Sequence, residues 1–314
     1  MSRPILTLTV NPALDRIITV DRLVFEDRAY IESRTEAAGG RGINAARVLT
    51  SFGATALAIT TSGRDVGRRF EERLNEDTFG KEIVKIRNGI RTNLTISDQQ
   101  GLSIKLNERG PVLSPQEQDK ILNATEKLLP GAAWLLLCGS LPPSFDDRFY
   151  TKLIATAAKH KVETLLDTDG DALLHGLEAH PTIVKPNQSE AERLLNTALI
   201  TRSQLIDAVT RIKALGAKSV VLSLGSRGAI AATSSEGVLE ITPPVVDALC
   251  PIGAGDAMSA AIVWALEKGE SLGEALRWGV AAGTASALLP GIELANLQQT
   301  RAIFSKTTIT RVVV

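Results

Sequence analysis

Between residues 115 and 228, short apolar runs alternate with longer amphipathic stretches, and each apolar run stops in a polar or glycine-bearing turn. Runs 134–137, 162–166, 182–184 and 219–222 end at Cys138-Gly139-Ser140-Leu141-Pro142, Asp167-Thr168-Asp169-Gly170, Lys185-Pro186-Asn187-Gln188-Ser189-Glu190 and Ser223-Leu224-Gly225-Ser226-Arg227-Gly228. Helical spacing marks residues 115–129, 147–160, 172–177, 189–195 and 203–215 between them. Strand, helix and strand in that rhythm give parallel strands joined by crossovers, with helices covering the sheet. Such strands are buried on both faces, so they read as unbroken apolar runs. The predicted fold class is α/β with a mostly parallel central sheet. Its functional edge is the row of polar turns, because ligands of open sheets gather outside the carboxyl ends of the strands.

The first third of the chain reads differently. Residues 5–10 form a strand that stops at Asn11-Pro12, with Asp15 just beyond it. Asp15 either holds a ligand's hydroxyls or caps a turn. Residues 16–35 alternate weakly, as short strands of a small sheet, and carry Arg22, Arg28 and Arg34. Gly39-Gly40-Arg41-Gly42-Ile43-Asn44 then opens a helix over 44–52; its glycines let a ligand approach the backbone, and Asn44 either hydrogen-bonds that ligand or caps the helix. The spacing is neither a dinucleotide fingerprint nor a Walker A loop. Runs 83–86, 92–97 and 102–106 read as three strands with polar faces, as in an exposed lid. Arg91 at the edge of one is either a solvated edge residue or a planar donor for a phosphate.

Near the C-terminus, Gly253-Ala254-Gly255-Asp256 precedes a helical pattern that runs to Lys268. Uncovered amides at a helix start make an anion cradle. An aspartate inside that cradle is either a base that takes a hydroxyl proton or an acidic residue suited to a first turn. Asn187-x-x-Glu190 is either a face toward metal-bound phosphates or a capping box. Ser223-Leu-Gly225-x-x-Gly228 is another close-approach turn. The helix 272–288 carries Gly279, Val280, Ala281, Ala282 and Gly283, a face for close packing or for a flat ligand such as adenine.

Bulk properties restrict the partners. The chain has 314 residues, 44% hydrophobic and 22% charged, an ordinary globular balance. Basic and acidic residues number 35 each, so no global attraction to nucleic acid or a membrane surface is expected. Cys138 and Cys250 make no framework and no metal spacing, and His160, His175 and His180 make no ligand cluster. The N-terminal residues read as a strand rather than a signal peptide, and no apolar run reaches a membrane span. The expected setting is a reducing cytoplasm.

Taken together, the stretches resemble the ribokinase-like sugar kinases, in their phosphofructokinase-B branch. The resemblance runs from Leu6 to about Ile303. It rests on Asn11-Pro-Ala-Leu-Asp15, Gly39-Gly-Arg-Gly-Ile-Asn44, Arg91-Thr-Asn93, Gly139-Ser-Leu-Pro142, Lys185-Pro-Asn-Gln-Ser-Glu190, Ser223-Leu-Gly225 and Gly253-Ala-Gly-Asp256. It implies a single three-layer α/β/α domain over 1–314 with a lid sheet at about 16–35 and 83–106. The implied activity is transfer of the ATP γ-phosphoryl group to a sugar phosphate: fructose-1-phosphate, fructose-6-phosphate or tagatose-6-phosphate. A kinase of an unphosphorylated sugar or nucleoside and a non-catalytic sensor are the competing readings.

The resemblance assigns Asp256 as base and Gly253, Ala254 and Gly255 as anion hole. Asp15, Gly39, Gly40, Asn44 and Ser140 would hold the sugar, and Arg91, helped by Arg41 or Arg28, its existing phosphate. Lys185, Asn187, Ser223, Gly225 and Gly228 would line ATP, with Val280 and Gly283 bordering adenine. Glu190 would act on Mg²⁺ through water. Relatives that bind K⁺ near the Gly253 loop imply a candidate K⁺ site, and lids that pair between subunits imply a homodimer. Two positions depart from the pattern: Arg41 stands where Lys or Gly is usual, and Cys250-Pro251 replaces small hydroxyl residues.

Overall fold

The computed structural model describes residues 3–24, 26–100 and 102–312. Strand β1 (Ile5–Thr9) is followed by β2 (Ala13–Val20), β3 (Ile31–Gly39), α1 (Arg41–Ser51), β4 (Ala56–Ser62), α2 (Arg64–Leu74), β5 (Gly80–Lys85), β6 (Arg91–Asp98) and β7 (Ser103–Asn107). The alternating region then contributes α3 (Pro115–Leu128), β8 (Trp134–Cys138), α4 (Phe149–Lys159), β9 (Glu163–Asp167), α5 (Gly170–Leu177), β10 (Ile183–Val184), α6 (Gln188–Leu195), α7 (Arg202–Ala214) and β11 (Ser219–Ser223). The chain closes with β12 (Ala229–Ala232), β13 (Val238–Thr242), α8 (Ala254–Glu267), α9 (Leu272–Ala287), α10 (Leu297–Phe304) and β14 (Thr308–Val312).

Among the described residues the large sheet has ten strands in the order β14-β13-β12-β11-β10-β9-β8-β1-β4-β5. From β11 to β5 every pairing is parallel, and β12 to β14 extend it antiparallel. The central strands are apolar and fully buried, Ile5–Thr9 and Trp134–Cys138 along their whole lengths. Helices α1, α8, α9 and α10 pack against one another, and α3 to α7 form a second succession of neighbours. Chain order leaves β1 in opposite directions, toward β4 on one side and β8 on the other. The crevice at this switch point lies beside Asn11, Gly139 and Asp167.

A second, smaller sheet has the order β3-β2-β6-β7 and is the candidate lid. Its strands occupy 13–20, 31–39, 91–98 and 103–107, and they do not include the run at 83–86. That run belongs to β5, which pairs in parallel with β4 after the α2 crossover. An edge strand of the large sheet shows the same exposed, polar alternation as a lid strand, so its residue pattern is the same in either place. The C-terminal helix α10 and strand β14 also went unread. Their signals are a capping box, Asn296 with Gln299, and the alternation of 308–312.

Candidate active site

Helix α8 is buried from Ala257 to Ala265, so only its first turn reaches the crevice. Close packing with α9 holds it there: a Cβ on Gly283 would come 2.9 Å from the Ala254 carbonyl oxygen, and one on Gly279 would come 2.5 Å from Ile262. Gly253, at φ 78°, is the N-cap in a left-handed conformation that favours glycine. Asp256 sits within that first turn, where the Ala254 amide donates to the Pro251 carbonyl at 3.3 Å. Its carboxylate keeps part of its surface open but lies deep among protein atoms. Burial, reinforced by the negative charge of Asp167, pushes its pKa up to about 7; the Asn44 hydrogen bond, Arg41 and Lys185 pull the other way. Asn44 Nδ2 donates to Asp256 Oδ2 at 2.8 Å.

A polar cluster faces this turn from the strand ends. Asp167, 3% exposed at the end of β9, accepts from Lys185 Nζ at 2.9 Å and from Ser259 Oγ at 2.9 Å through Oδ2. Its Oδ1 accepts from Arg41 Nη1 at 3.0 Å. Burial opposes the Asp167 charge, but Lys185 and Arg41 outweigh it and hold the carboxyl below its ordinary value. Lys185 Nζ would be 3.6 Å from a Cβ on Gly255, so the ammonium stands next to the anion cradle. Asp167 and Asp169 were visible as a strand-end turn but not singled out; the rule for strand carboxyl ends marks that turn.

Arg41, expected to assist Arg91 on a substrate phosphate, opens α1 beside the strand-end carboxylates and pairs with Asp167, with Asp169 at 3.5 Å and with Glu190 at 3.4 Å. These pairs and Asp256 raise its pKa despite burial. Helix α1 also starts one turn earlier than predicted, so Asn44 lies inside the helix and is not its cap. Arg28 is exposed in the connection between β2 and β3, at the opposite end of these strands from Asp15 and Gly39 of the same chain. Five residues of strand at ~3.3 Å each separate the two ends.

The lid carries the remaining sugar-side candidates. Asn93 Nδ2 donates to Asp15 Oδ1 at 2.8 Å. Burial raises the Asp15 pKa, with Asn93 and Arg91 opposing the rise. Gly39 makes this placement possible, because a Cβ there would collide with the Asp15 carboxylate. Arg91 Nη1 donates to the Glu108 carbonyl at 3.3 Å. Its buried Nε, the buried Oδ1 of Asn93 and the buried Oδ1 of Asn11 find no partner among the described residues. The Arg91 and Asn93 atoms, left unpaired beside the Asp15 carboxylate, are suited to a polar ligand. Gly40 is the N-cap of α1 at φ 143°, and Ser140 lies in the turn after β8. Tyr150 and Thr168 pin that turn by donating to the Gly139 carbonyl at 3.0 and 2.9 Å.

On the other side of the cleft, Asn187 and Glu190 form the capping box of α6, with both reciprocal bonds at 2.9 Å. One Glu190 oxygen is thus committed to the helix end, and the other faces Arg41. Ser223 bridges to Asn187 next to the turn of Gly225 and Gly228. Val280 keeps 4% of its surface and Gly283 packs on Ala254, so both are engaged in the contact of α9 with α8.

A cleft with a carboxylate whose pKa is raised to about 7, a glycine-capped helix start and two cations beside it has the parts for moving a phosphoryl group onto an alcohol. Comparison with known proteins carries this further. The family model for the pfkB family carbohydrate kinases matches residues 9–298. ATP-dependent 6-phosphofructokinase isozyme 2 of Escherichia coli K12 is 32% identical over 303 residues, which cover 96% of this chain and 98% of that one. The 1-phosphofructokinase of Borreliella burgdorferi is 30% identical, over 90% and 92% of the two chains. The structure of Escherichia coli phosphofructokinase-2 in complex with potassium superposes with a TM-score of 0.91, at 31% identity, over 97% and 99%. The fold is ribokinase-like, and the chain belongs to the pfkB family of carbohydrate kinases. It is a phosphotransferase enzyme of that family.

Proposed function

We propose that this kinase transfers the γ-phosphoryl group of ATP to a hydroxyl of a fructose phosphate, giving fructose-1,6-bisphosphate. Asp256 takes the hydroxyl proton while the oxygen attacks the γ-phosphorus in line. The bond to the bridging oxygen breaks, and ADP leaves. The backbone amides of Gly253, Ala254 and Gly255 face the oxygens on which charge develops, and Lys185 stands beside them. Position and charge stabilisation carry most of such a transfer. Asp15, Gly39, Gly40, Asn44 and Ser140 hold the sugar, and Arg91 holds its phosphate. Lys185, Asn187, Ser223, Gly225 and Gly228 line ATP, with Val280 and Gly283 behind the adenine.

The observation that carries the sugar-phosphate reading is the buried, unpaired Nε of Arg91 beside Asp15 and Asn93. Relatives that act on phosphorylated fructose point the same way. A coupled ADP-release assay over fructose-1-phosphate, fructose-6-phosphate, tagatose-6-phosphate and free fructose tests it. Arg91→Ala should raise the KM for the preferred sugar phosphate about tenfold or more, as loss of a charge-assisted bond does, and leave free fructose unaffected. An equal effect on both substrates removes the phosphate role. Turnover on tagatose-6-phosphate alone selects the tagatose reading, and turnover on free fructose alone the simple-sugar one.

Magnesium is usually held by one or two carboxylates together with phosphates and waters. The residues present fit that habit: Glu190 is buried, with one oxygen in the capping box and the other turned to the cleft cluster. Glu190 would hold Mg²⁺ through water, and the ion would neutralise phosphate oxygens. A K⁺ site at carbonyls near the Gly253 loop is supported by the potassium complex of the Escherichia coli relative.

The lid supports a homodimer. Asp15, Asn93 and Arg91 lie on one side of it, and by strand alternation Ile18, Leu94, Ile96, Ile104 and Leu106 lie on the other. Ile104 and Leu106 are exposed at 42% and 56%, next to their cross-strand partners Ile96 and Leu94. An apolar sheet face of this kind is a contact surface. Leu106→Asp should halve the mass seen by light scattering from dimer to monomer; a monomeric parent protein overturns the dimer. No helix among the described residues is long and apolar enough to cross a membrane. A cytoplasmic setting suits the two free cysteines.

A further inference from the structure

We propose that Arg47, clamped by Asp77, is a positioning residue that fixes the side-chain amide of Asn44 with its NH₂ end toward Asp256. Asn44 and Arg47 lie one turn apart on the same face of α1. Arg47 Nη1 donates to Asn44 Oδ1 at 3.1 Å. Its Nε and Nη2 are held by the two Asp77 oxygens at 2.9 Å each, so the guanidinium is fixed by a bidentate pair. Asp77 sits in the turn between α2 and β5, where Lys81 Nζ donates to its backbone carbonyl at 2.7 Å.

The chemistry is directional. A guanidinium has only donors, so the Asn44 oxygen must face it. The NH₂ group then meets Asp256, at 2.8 Å. The opposite orientation would set a carbonyl oxygen against a carboxylate oxygen, which only a protonated Asp256 tolerates. Arg47 thereby holds Asn44 as a donor to the ionised carboxylate, the form that accepts a proton. The clamp lines a groove of about 480 Å³ together with Leu294, whose side chain also covers Gly253.

The other charged groups facing Asp256 come from separate elements: Asp167 from β9, Lys185 after β10 and Arg41 at the start of α1, with the Cys138 thiol at the end of β8. Arg47 itself faces Asp77 and Asp15. None of these groups replaces Arg47 at Asn44 Oδ1 among the described contacts.

This inference rests on the reading of Asp256 as the base, and its test separates the two. ¹³C-aspartate NMR titration follows the Asp256 carboxyl, its resonance identified by its loss in Asp256→Asn. The pH profile of kcat/KM is recorded alongside. In Arg47→Met the Asp256 midpoint should rise by up to about one pH unit, as loss of an oriented donor to a carboxylate does. The rate at pH 6.5 should fall up to about tenfold, by the same shift, and recover near pH 9. Arg47→Lys, which keeps a donor for Asn44, should restore most of the midpoint. Asp77→Asn loosens the clamp and should shift the midpoint the same way by less, which covers an Arg47→Met protein that does not fold. An unchanged midpoint in the variants overturns the inference, as does a loss of rate that is uniform across pH. A parent protein that releases no ADP while its Asp256 midpoint still moves removes the kinase reading and leaves the positioning role standing.

Discussion

Asp256→Asn should give a folded protein that still binds sugar phosphate and nucleotide but turns over about 10²–10⁴-fold more slowly, the usual contribution of a general base. The amide keeps the shape of the carboxyl and cannot take a proton. Because burial raises the Asp256 pKa to about 7, the parent's kcat/KM should fall by half near pH 7 and decline further in acid, where the base is protonated. The same shift fixes the sign of a stability effect. A carboxyl whose folded pKa lies above its unfolded value stabilises the fold while protonated; that contribution is lost as pH rises from about 4 to about 7. At pH 8 the variant should therefore be more stable than the parent, by roughly 1–4 kcal/mol. Steady-state kinetics and denaturant unfolding at pH 6 and pH 8 check both halves. Near-normal turnover would falsify the assignment of the base, and a variant less stable than the parent at pH 8 would contradict the burial argument.

Asp167→Asn should be costly to the fold. Asp167 is buried between the cations of Lys185 and Arg41, with Ser259 donating to it. An asparagine retains an acceptor for Ser259 but leaves two positive charges facing each other over a neutral group. Removing one partner from a buried charge pair costs about 3–5 kcal/mol. The Asp167 pKa is lowered, so this stabilisation is present above its unfolded value of 3.8 and disappears as pH falls through the lower folded value. Parent and variant should differ in unfolding free energy at pH 7 and converge in strong acid. Loss of the Asp167 charge should also bring the Asp256 midpoint below 7, since that charge is the strongest influence after burial raising it. The acid limb then moves in the direction opposite to that expected for Arg47→Met. A limb that stays in place would show that the two carboxylates do not interact.

Strand-end turns were the legible part of this molecule. Lys185, Asn187, Glu190, Ser223 and Gly225 stand where an apolar run meets a polar turn, and a parallel sheet brings such turns to one edge whatever the helices between them do. Asp256 was legible for a similar local reason, since a glycine N-cap and an acidic first turn are both written within four residues. The lid was half legible. Its strands β2, β3, β6 and β7 alternate in sequence, but β5 alternates in the same way and joins the other sheet. The partners of Arg28 and Arg41 were not legible, because an arginine near a glycine loop carries no sign of which carboxylate or phosphate its long side chain will reach.

The sequence by itself determined the alternation of elements, the polar edge of the sheet and the cradle at the start of α8. These are local facts, set by hydrophobic period, helix caps and glycine positions. Only the tertiary structure decided which charges meet. The pairing of Asp167 with Lys185 and Arg41, of Asp77 with Arg47, and of Asn44 with Asp256 joins residues far apart in the chain, and burial of those pairs sets their proton affinities. Burial and charge separation are properties of the packed molecule, and no stretch of residues carries them alone.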